Sequence, residues 1–323
     1  MSLVIRQYAY GGPETLTAEE ETVREPGPEE VRLRQHAIGV NFVDLSFRSG
    51  RIPSGGFPLT IGVEGAGEVV AIGPGVTGVA PGDRVAYPIA PGAYAEERIV
   101  PATALVRLPD DVDFDVAAAV ITKGLLAGAL VDRVTRLSAG DVALVHAAAG
   151  AVGSLVTGWA RARDVRVVGT VGSAGKVAAA RAAGADLVLA LDSGADLAGE
   201  VLRYTGGRGV AAVFDGVGAA TAELSLRAVA PGGRLVLFGS ASGPADLDPR
   251  AVAAKRVELS TPSLASTVPD PVDRQAIADD LFRLIATGRI PAPRLTTYPL
   301  KDVADAHRDL ESRRSTGSLV LTV

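Results

Sequence analysis

From Asp141 onward the chain alternates between short runs that are apolar at nearly every position and longer stretches in which apolar residues recur every three or four places. The runs VALVHA (142–147), VRVVGTV (165–171), DLVLAL (186–191), VAAVFDGV (210–217) and RLVLFG (234–239) read as strands buried on both faces. Between them lie helical patterns such as AGKVAAARAAG (174–184), closed by Gly184. This rhythm predicts βαβ units and a parallel sheet. The first third differs. EEVRLRQHAIGVN, GEVVAIGPGV, GDRVAYPIA and YAEERIVP are short β-like runs punctuated by Gly and Pro, which predicts a mostly β domain with long loops.

PDDVDFDVAAAV (109–120) shifts register, with acidic residues ahead of an alanine-rich run, as a helix start requires. A domain junction is therefore expected near Ile121 to Lys123. After about Leu259 the rhythm changes again. Asp270 is a predicted N-cap, Pro271 the first helical residue and Gly288 the stop of one helix; LKDVADAHRDLESRR (300–314) gives another, and GSLVLTV a last strand. That strand is expected to return to the N-terminal domain. The predicted division is 1–122, 123–258 and 259–323, with the middle part inserted between the two others.

Composition narrows the function. With 323 residues, 47% of them apolar, the chain has material for two cores. A net charge of -5 and no Lys/Arg cluster argue against a nucleic-acid partner. Cysteine is absent, which excludes disulfides and thiolate catalysis, and with only His36, His146 and His307 a catalytic zinc site lacks candidate ligands. A reducing cytoplasm fits this usage. The N-terminus MSLVIRQYAYGGPE has no secretion-signal pattern, so none is expected. Val142 to Ala160 carries no charge and is long enough to cross a bilayer, but Gly150, Gly153 and His146 favour strand, bend and helix, and no membrane partner is expected.

The chemistry concentrates at HAAAGAVG. Ala148, Gly150 and Gly153 fall on the glycine positions of a G-x-G-x-x-G fingerprint, with alanine at the first. A diphosphate needs a bend with little side-chain bulk and amides aimed outward from a helix start. Gly150 would allow that approach and Gly153 close packing of helix on strand, while Val152, Leu155, Val156, Trp159 and Ala160 form the helix's sheet-facing stripe. A glycine corner chosen only for packing is the alternative. The end of the second strand reads GTVGSAGK; where an acidic residue would accept a free ribose 2'-hydroxyl, Ser173 and Lys176 stand instead, suited to a 2'-phosphate. NADPH is thus favoured over NADH, unless Lys176 is only a solvated helix residue.

These residues, with GPE (12–14), GVNFVDLSFRSG (39–50), GVEGAGEVVAIGPGV (62–76) and GDRVAY (82–87), resemble the zinc-independent, zeta-crystallin-like quinone oxidoreductases of the medium-chain dehydrogenase/reductase superfamily. The likeness runs from Gly12 to Leu321. It implies an α/β chain in which a Rossmann domain, a doubly wound parallel sheet, is inserted into a GroES-like mostly-β catalytic domain. It further implies a cleft between them, a homodimer joined through Rossmann edges, and NADPH-dependent reduction of quinones or conjugated carbonyls. Val63 stands where zinc-dependent relatives place a ligand histidine. By the same resemblance Asn41 lies near the nicotinamide and its ribose. Gly150, Ala151, Val152 and Gly153 form the diphosphate bend, and Gly172, Ser173 and Lys176 read the adenosine phosphate. Phe238, Gly239 and Ser240 wall the nicotinamide ribose, and Ser263, Leu264, Gly317 and Ser318 make peripheral contacts, or are loop residues of no special role.

The sequence departs from the family at Leu126, where many members have threonine, and at Ser46, Ile52 and Leu191, which replace tyrosines. No general acid stands out. Asp44 and Lys123 are candidate catalytic contributors, with a structural hydrogen bond for Asp44 and a charged helix-start position for Lys123 as alternatives. A quinone's oxyanion can take its proton from water. Beside the quinone reading stand an enone or enoyl reductase and an NADPH-binding redox sensor without turnover.

Overall fold

A computed structural model of the chain describes residues 1–53, 55–312 and 317–323. They form two compact units: 1–122 with 270–278 and 293–323, and 123–269 with 279–292. In the first, β1 (Ser2–Gln7) and β2 (Leu16–Glu21) make an antiparallel hairpin. β3 (Glu30–Val40) leads into α1 (Phe42–Arg48), followed by β4 (Glu64–Ile72), β5 (Arg84–Tyr87), β6 (Glu97–Pro101) and β7 (Val106–Arg107). Alternation along the first half of β3 buries Val31 and Leu33 with Val69, Val85 and Val100, as a half-exposed antiparallel sheet requires; beyond a register shift at Gln35/Ala37 the strand is buried throughout, and Ile38 joins the same core.

The chain leaves this unit inside α2 (Phe114–Gly128), so the predicted junction falls within a helix rather than in a linker. A π-helical turn, Ala129–Thr135, extends α2. Together they are long and apolar enough to cross a bilayer, but 72% of their most apolar stretch is buried inside the protein, as in a core helix.

The second unit then runs β8 (Val142–Val145), α3 (Ala151–Ala162), β9 (Arg166–Val171), α4 (Val177–Ala182), β10 (Leu187–Ala190), α5 (Leu197–Tyr204), β11 (Val210–Asp215), α6 (Ala222–Ala228), β12 (Val229–Leu237), α7 (Pro249–Lys255), β13 (Glu258–Ser260) and α8 (Leu264–Thr267). Its six strands are all parallel in the order β10-β9-β8-β11-β12-β13. This is the doubly wound arrangement, with its switch point between β8 and β11, beyond whose C-terminal ends such sheets bind ligands. The predicted return at Leu259 comes too early: Leu259 pairs with Leu235, so β13 belongs to this sheet, and the unit continues to Pro269.

α9 (Pro271–Ala286) begins in the first unit and ends in the second. The predicted stripe of α3 is only part of what it buries: Leu155 to Ala160 are all buried, and Ile290 lies against Gly158, leaving α3 covered on a second side. Finally β14 (Leu295–Pro299), α10 (Val303–Glu311) and β15 (Ser318–Thr322) return to the first unit, where β15 pairs antiparallel with β3. The expected return of the last strand is thus found. The end of the helix expected over 300–314 lies outside the described residues.

Candidate functional site

The bend after β8 is built from small residues for identifiable steric reasons. Ala147 takes a left-handed φ of 51° and turns the chain, and its carbonyl accepts the Gly150 amide at 2.8 Å. A Cβ on Gly153 would sit 2.2 Å from that same carbonyl, so only glycine lets α3 start this close to the turn. Alanine at the fingerprint's first position is accommodated from the next strand, since a Cβ on Gly169 of β9 would come within 2.7 Å of the Ala148 Cβ. Gly150 is the N-cap of α3, and no side chain caps it. The amides of Ala151, Val152 and Gly153 therefore open a helix without side-chain competition, a start suited to a diphosphate.

Behind the bend lies a buried polar network that the sequence reading did not single out. Ser225 Oγ gives its one proton to Asp215 Oδ2 at 2.7 Å, so it must accept from His146 Nε2 at 2.9 Å. His146 is then a neutral ring protonated on Nε2, and Nδ1 accepts from Thr170 Oγ1 at 2.7 Å. Burial drives its pKa down to about 4 against the opposing pull of Asp215. Asp215 also accepts the amides of Val217 and Gly218 and the hydroxyl of Thr221, so its oxygens are saturated. These bonds tie the ends of β8, β9 and β11 to α6 at the switch point. A histidine closing an otherwise apolar strand was the signal available.

Beyond β9, Gly172 is exposed, a Cβ there would meet nothing within 4 Å, and Ser173 and Lys176 are half-buried on the following turn. The loops after β11 and β12 approach through glycine. A Cβ on Gly216 would strike the Phe238 ring at 2.7 Å, and one on Gly239 the Gly216 carbonyl at 2.7 Å, leaving Ser240 exposed on the rim. Ser263 caps α8 by accepting the Ser266 amide, and Leu264 is buried, so both have structural employment.

In the first unit, Asn41 is the N-cap of α1 and forms a reciprocal capping box with Asp44, whose Oδ2 accepts the Asn41 backbone amide at 2.8 Å. The Asn41 Nδ2 at the same time donates to Glu64 Oε1 at 2.8 Å. The structural hydrogen bond considered for Asp44 is therefore present. Glu64 is fully buried and its Oε2 accepts the Thr122 amide at 3.0 Å. Gly39 makes room for it, since a Cβ there would be 2.3 Å from Glu64 Oε1. Glu64 was missed by the sequence reading; a carboxylate inside the small-residue run VEGAG was the cue. Val63 beside it is 2% exposed, and among the described residues no group of three or more His, Asp or Glu could hold a metal.

Lys123 is buried in the middle of α2, not at a helix start as its alternative reading had it. Gly317, at φ 92°, would drive a Cβ into the Arg294 carbonyl, and the Ser318 hydroxyl donates to the Ala119 carbonyl at 3.1 Å. Both are accounted for by the return of β15.

A mostly β unit interrupted by a doubly wound sheet, with a glycine bend at its switch point, defines a dinucleotide-dependent dehydrogenase architecture. A family model described as the alcohol dehydrogenase GroES-like domain matches residues 27–110, and one described as zinc-binding dehydrogenase matches residues 151–280. A quinone oxidoreductase of Pseudomonas aeruginosa is 44% identical to this chain, with 99% of each covered. A 2-haloacrylate reductase of a Burkholderia species is 37% identical over 96% of each. The crystal structure of Escherichia coli quinone oxidoreductase complexed with NADPH is similar at a TM-score of 0.94 and 36% identity, covering 100% of both chains. The chain belongs to the quinone oxidoreductase family of the medium-chain dehydrogenase/reductase superfamily.

Proposed function

We propose that the chain is an NADPH-dependent quinone reductase that passes a hydride to a quinone or similar conjugated carbonyl without a metal. The observation that carries this reading is the uncapped start of α3 at the switch point, paired with Ser173 and Lys176 where a ribose-binding carboxylate would otherwise stand. The similarity to quinone oxidoreductases over whole chain lengths supports it.

In this reading the amides of Ala151, Val152 and Gly153 hold the diphosphate, with Gly150 giving access. Gly172, Ser173 and Lys176 receive the 2'-phosphate. Phe238, Gly239 and Ser240 bound the nicotinamide ribose, and Asn41, oriented by Glu64, meets the nicotinamide end. Ser263, Leu264, Gly317 and Ser318 act further out, by shaping the loops that carry them. When bound, NADPH supplies the hydride, and the protein supplies position. Asp44 holds the Asn41 backbone, Lys123 adds a buried cation, and water protonates the reduced oxygen. We place the enzyme in the cytoplasm as a homodimer, with neither nucleic acid nor membrane as partner. The net charge of -5 supports the exclusion of nucleic acid, and the edge strand β13 with its 43% exposed Leu259 supports a sheet-edge dimer.

The test is NADPH oxidation against a panel of ortho- and para-quinones. Consumption with formation of a hydroquinone is expected, and no consumption with any member overturns the substrate assignment. The similarity to the 2-haloacrylate reductase favours reduction of a carbon-carbon double bond as a second reading, and a saturated product would establish it. Tight NADPH binding with no turnover of either class would instead indicate a sensor.

A further inference from the structure

Behind α1 runs a chain of hydrogen bonds that can point in only one direction. A guanidinium can only donate, and Arg48 Nη1 lies 3.0 Å from His307 Nδ1, so Nδ1 carries a lone pair. The ring is neutral with its proton on Nε2, which faces Tyr94 Oη at 2.8 Å. Tyr94 accepts that proton's bond and spends its own on Asp44 Oδ2 at 3.0 Å. Asp44 Oδ2 is the atom that accepts the Asn41 amide. All four side chains are buried, with exposures of 2% for Arg48 and 0% for His307, Tyr94 and Asp44. Arg48 is itself fixed, through Nε to the Gly11 carbonyl at 3.1 Å and through Nη2 to Glu311. Burial holds His307 down to about 3 and Tyr94 well above the usual phenol range, which keeps both neutral as the bond directions require.

The arrangement answers a question raised by Asn41. An asparagine at an N-cap ordinarily turns its own side chain onto the helix amides. Here the same carboxamide is also held through Nδ2 by Glu64, so its orientation depends on the other half of the capping box, Asp44 reaching back to the Asn41 amide. A short carboxylate can do this reliably only if its rotation is blocked, and the Tyr94 hydroxyl blocks it. His307 in turn orients that hydroxyl, because it offers Tyr94 a donor and leaves the phenol proton nowhere else to go.

We propose that Tyr94 and His307 are positioning residues for hydride transfer: they lock Asp44 onto the Asn41 backbone and so fix the orientation in which the Asn41 carboxamide is presented to the nicotinamide end of the cofactor. This inference rests on the role given to Asn41 above. Tyr94→Phe keeps the ring and removes only the hydroxyl. Its kcat with a quinone should fall about 10-fold, with the Kd for NADPH changing by less than about 3-fold, since the phosphate contacts lie on the second unit. His307→Gln, which presents both an acceptor and a donor, should stay within about 3-fold of the wild type, whereas His307→Leu should match Tyr94→Phe.

Hydrogen exchange at the Asn41 amide gives a readout independent of turnover: protected in the wild type, it should exchange at least about 10-fold faster in Tyr94→Phe. Wild-type kcat in Tyr94→Phe, equal losses in His307→Gln and His307→Leu, or unchanged Asn41 protection would each overturn the positioning role. A wild-type chain that binds NADPH and reduces no quinone counts against the proposed function alone, and the exchange measurement then decides the positioning role by itself.

Discussion

Asn41 Nδ2 and Glu64 Oε1 lie 2.8 Å apart, joining the N-cap of a helix to the first residue of a strand through a carboxylate that is fully buried. Both Glu64 oxygens accept N–H groups, the second from Thr122. In Glu64→Gln one oxygen becomes an NH2 that faces a donor, at a cost of about 1–3 kcal/mol. Lower stability in urea melts is expected, together with a kcat loss of at least about 10-fold as Asn41 loses its orientation. Wild-type kcat in this variant would remove Asn41 from the site.

Gly153 and Gly172 make a matched pair. A Cβ on the first meets the Ala147 carbonyl at 2.2 Å, and on the second it meets nothing within 4 Å. Gly153→Ala should destabilise by about 3 kcal/mol and abolish NADPH binding. Gly172→Ala should stay within about 0.5 kcal/mol of the wild type. Thermal melts of the two variants check this, and equal stability would show that α3 does not need its close approach to the bend.

In the proposed reading Ser173 and Lys176 select the cofactor. Removing both, as Ser173→Ala with Lys176→Ala, should raise the Kd for NADPH roughly 10-fold or more while altering that for NADH less than about 2-fold, because only the former carries the extra phosphate. Fluorescence titration with each dinucleotide separates the outcomes. Parallel weakening of both would place the phosphate elsewhere.

Acid should unfold the protein through its two buried histidines. Burial holds His146 to about 4 and His307 to about 3, below the value of about 6.5 for an unfolded histidine. Between those limits the unfolded chain binds protons that the native chain refuses. Stability is therefore fully present above about pH 6.5 and falls by about 1.4 kcal/mol per pH unit for each ring as the pH drops toward the folded values. Urea midpoints from pH 7 to pH 4.5 should show this slope, and His146→Gln and His307→Gln should each flatten it. An unchanged slope in the double variant would locate the acid sensitivity in other groups.

What the sequence shows and what it hides follow a physical division. The five apolar runs between 142 and 239 coincide with β8 to β12, because strands covered on both faces must be apolar throughout. β13 escapes notice: ELS is three residues at a sheet edge, with Glu258 and Leu259 exposed, and carries no such pattern. The bend at Gly150 is readable since its chemistry is local. Glu64 and Tyr94 are not, because their partners come from other elements. The register that sets Gly39 opposite Glu64 exists only once β3 and β4 have paired. Ala147 in a left-handed conformation is equally invisible, since nothing in an alanine announces it.

The pairing of Val40 with Leu319 has a consequence for how the chain matures on the ribosome. β3 emerges early, but the partner for one of its edges is synthesised only after the whole doubly wound sheet. β6 covers that edge only over Glu30–Arg34, so its Ala37–Val40 end stays open throughout the translation of the doubly wound sheet, whose strands all lie within one continuous stretch and can close as soon as it clears the exit tunnel. Nascent chains stalled before β15 therefore expose a sticky border of the first sheet, and they are the species that a chaperone must shield.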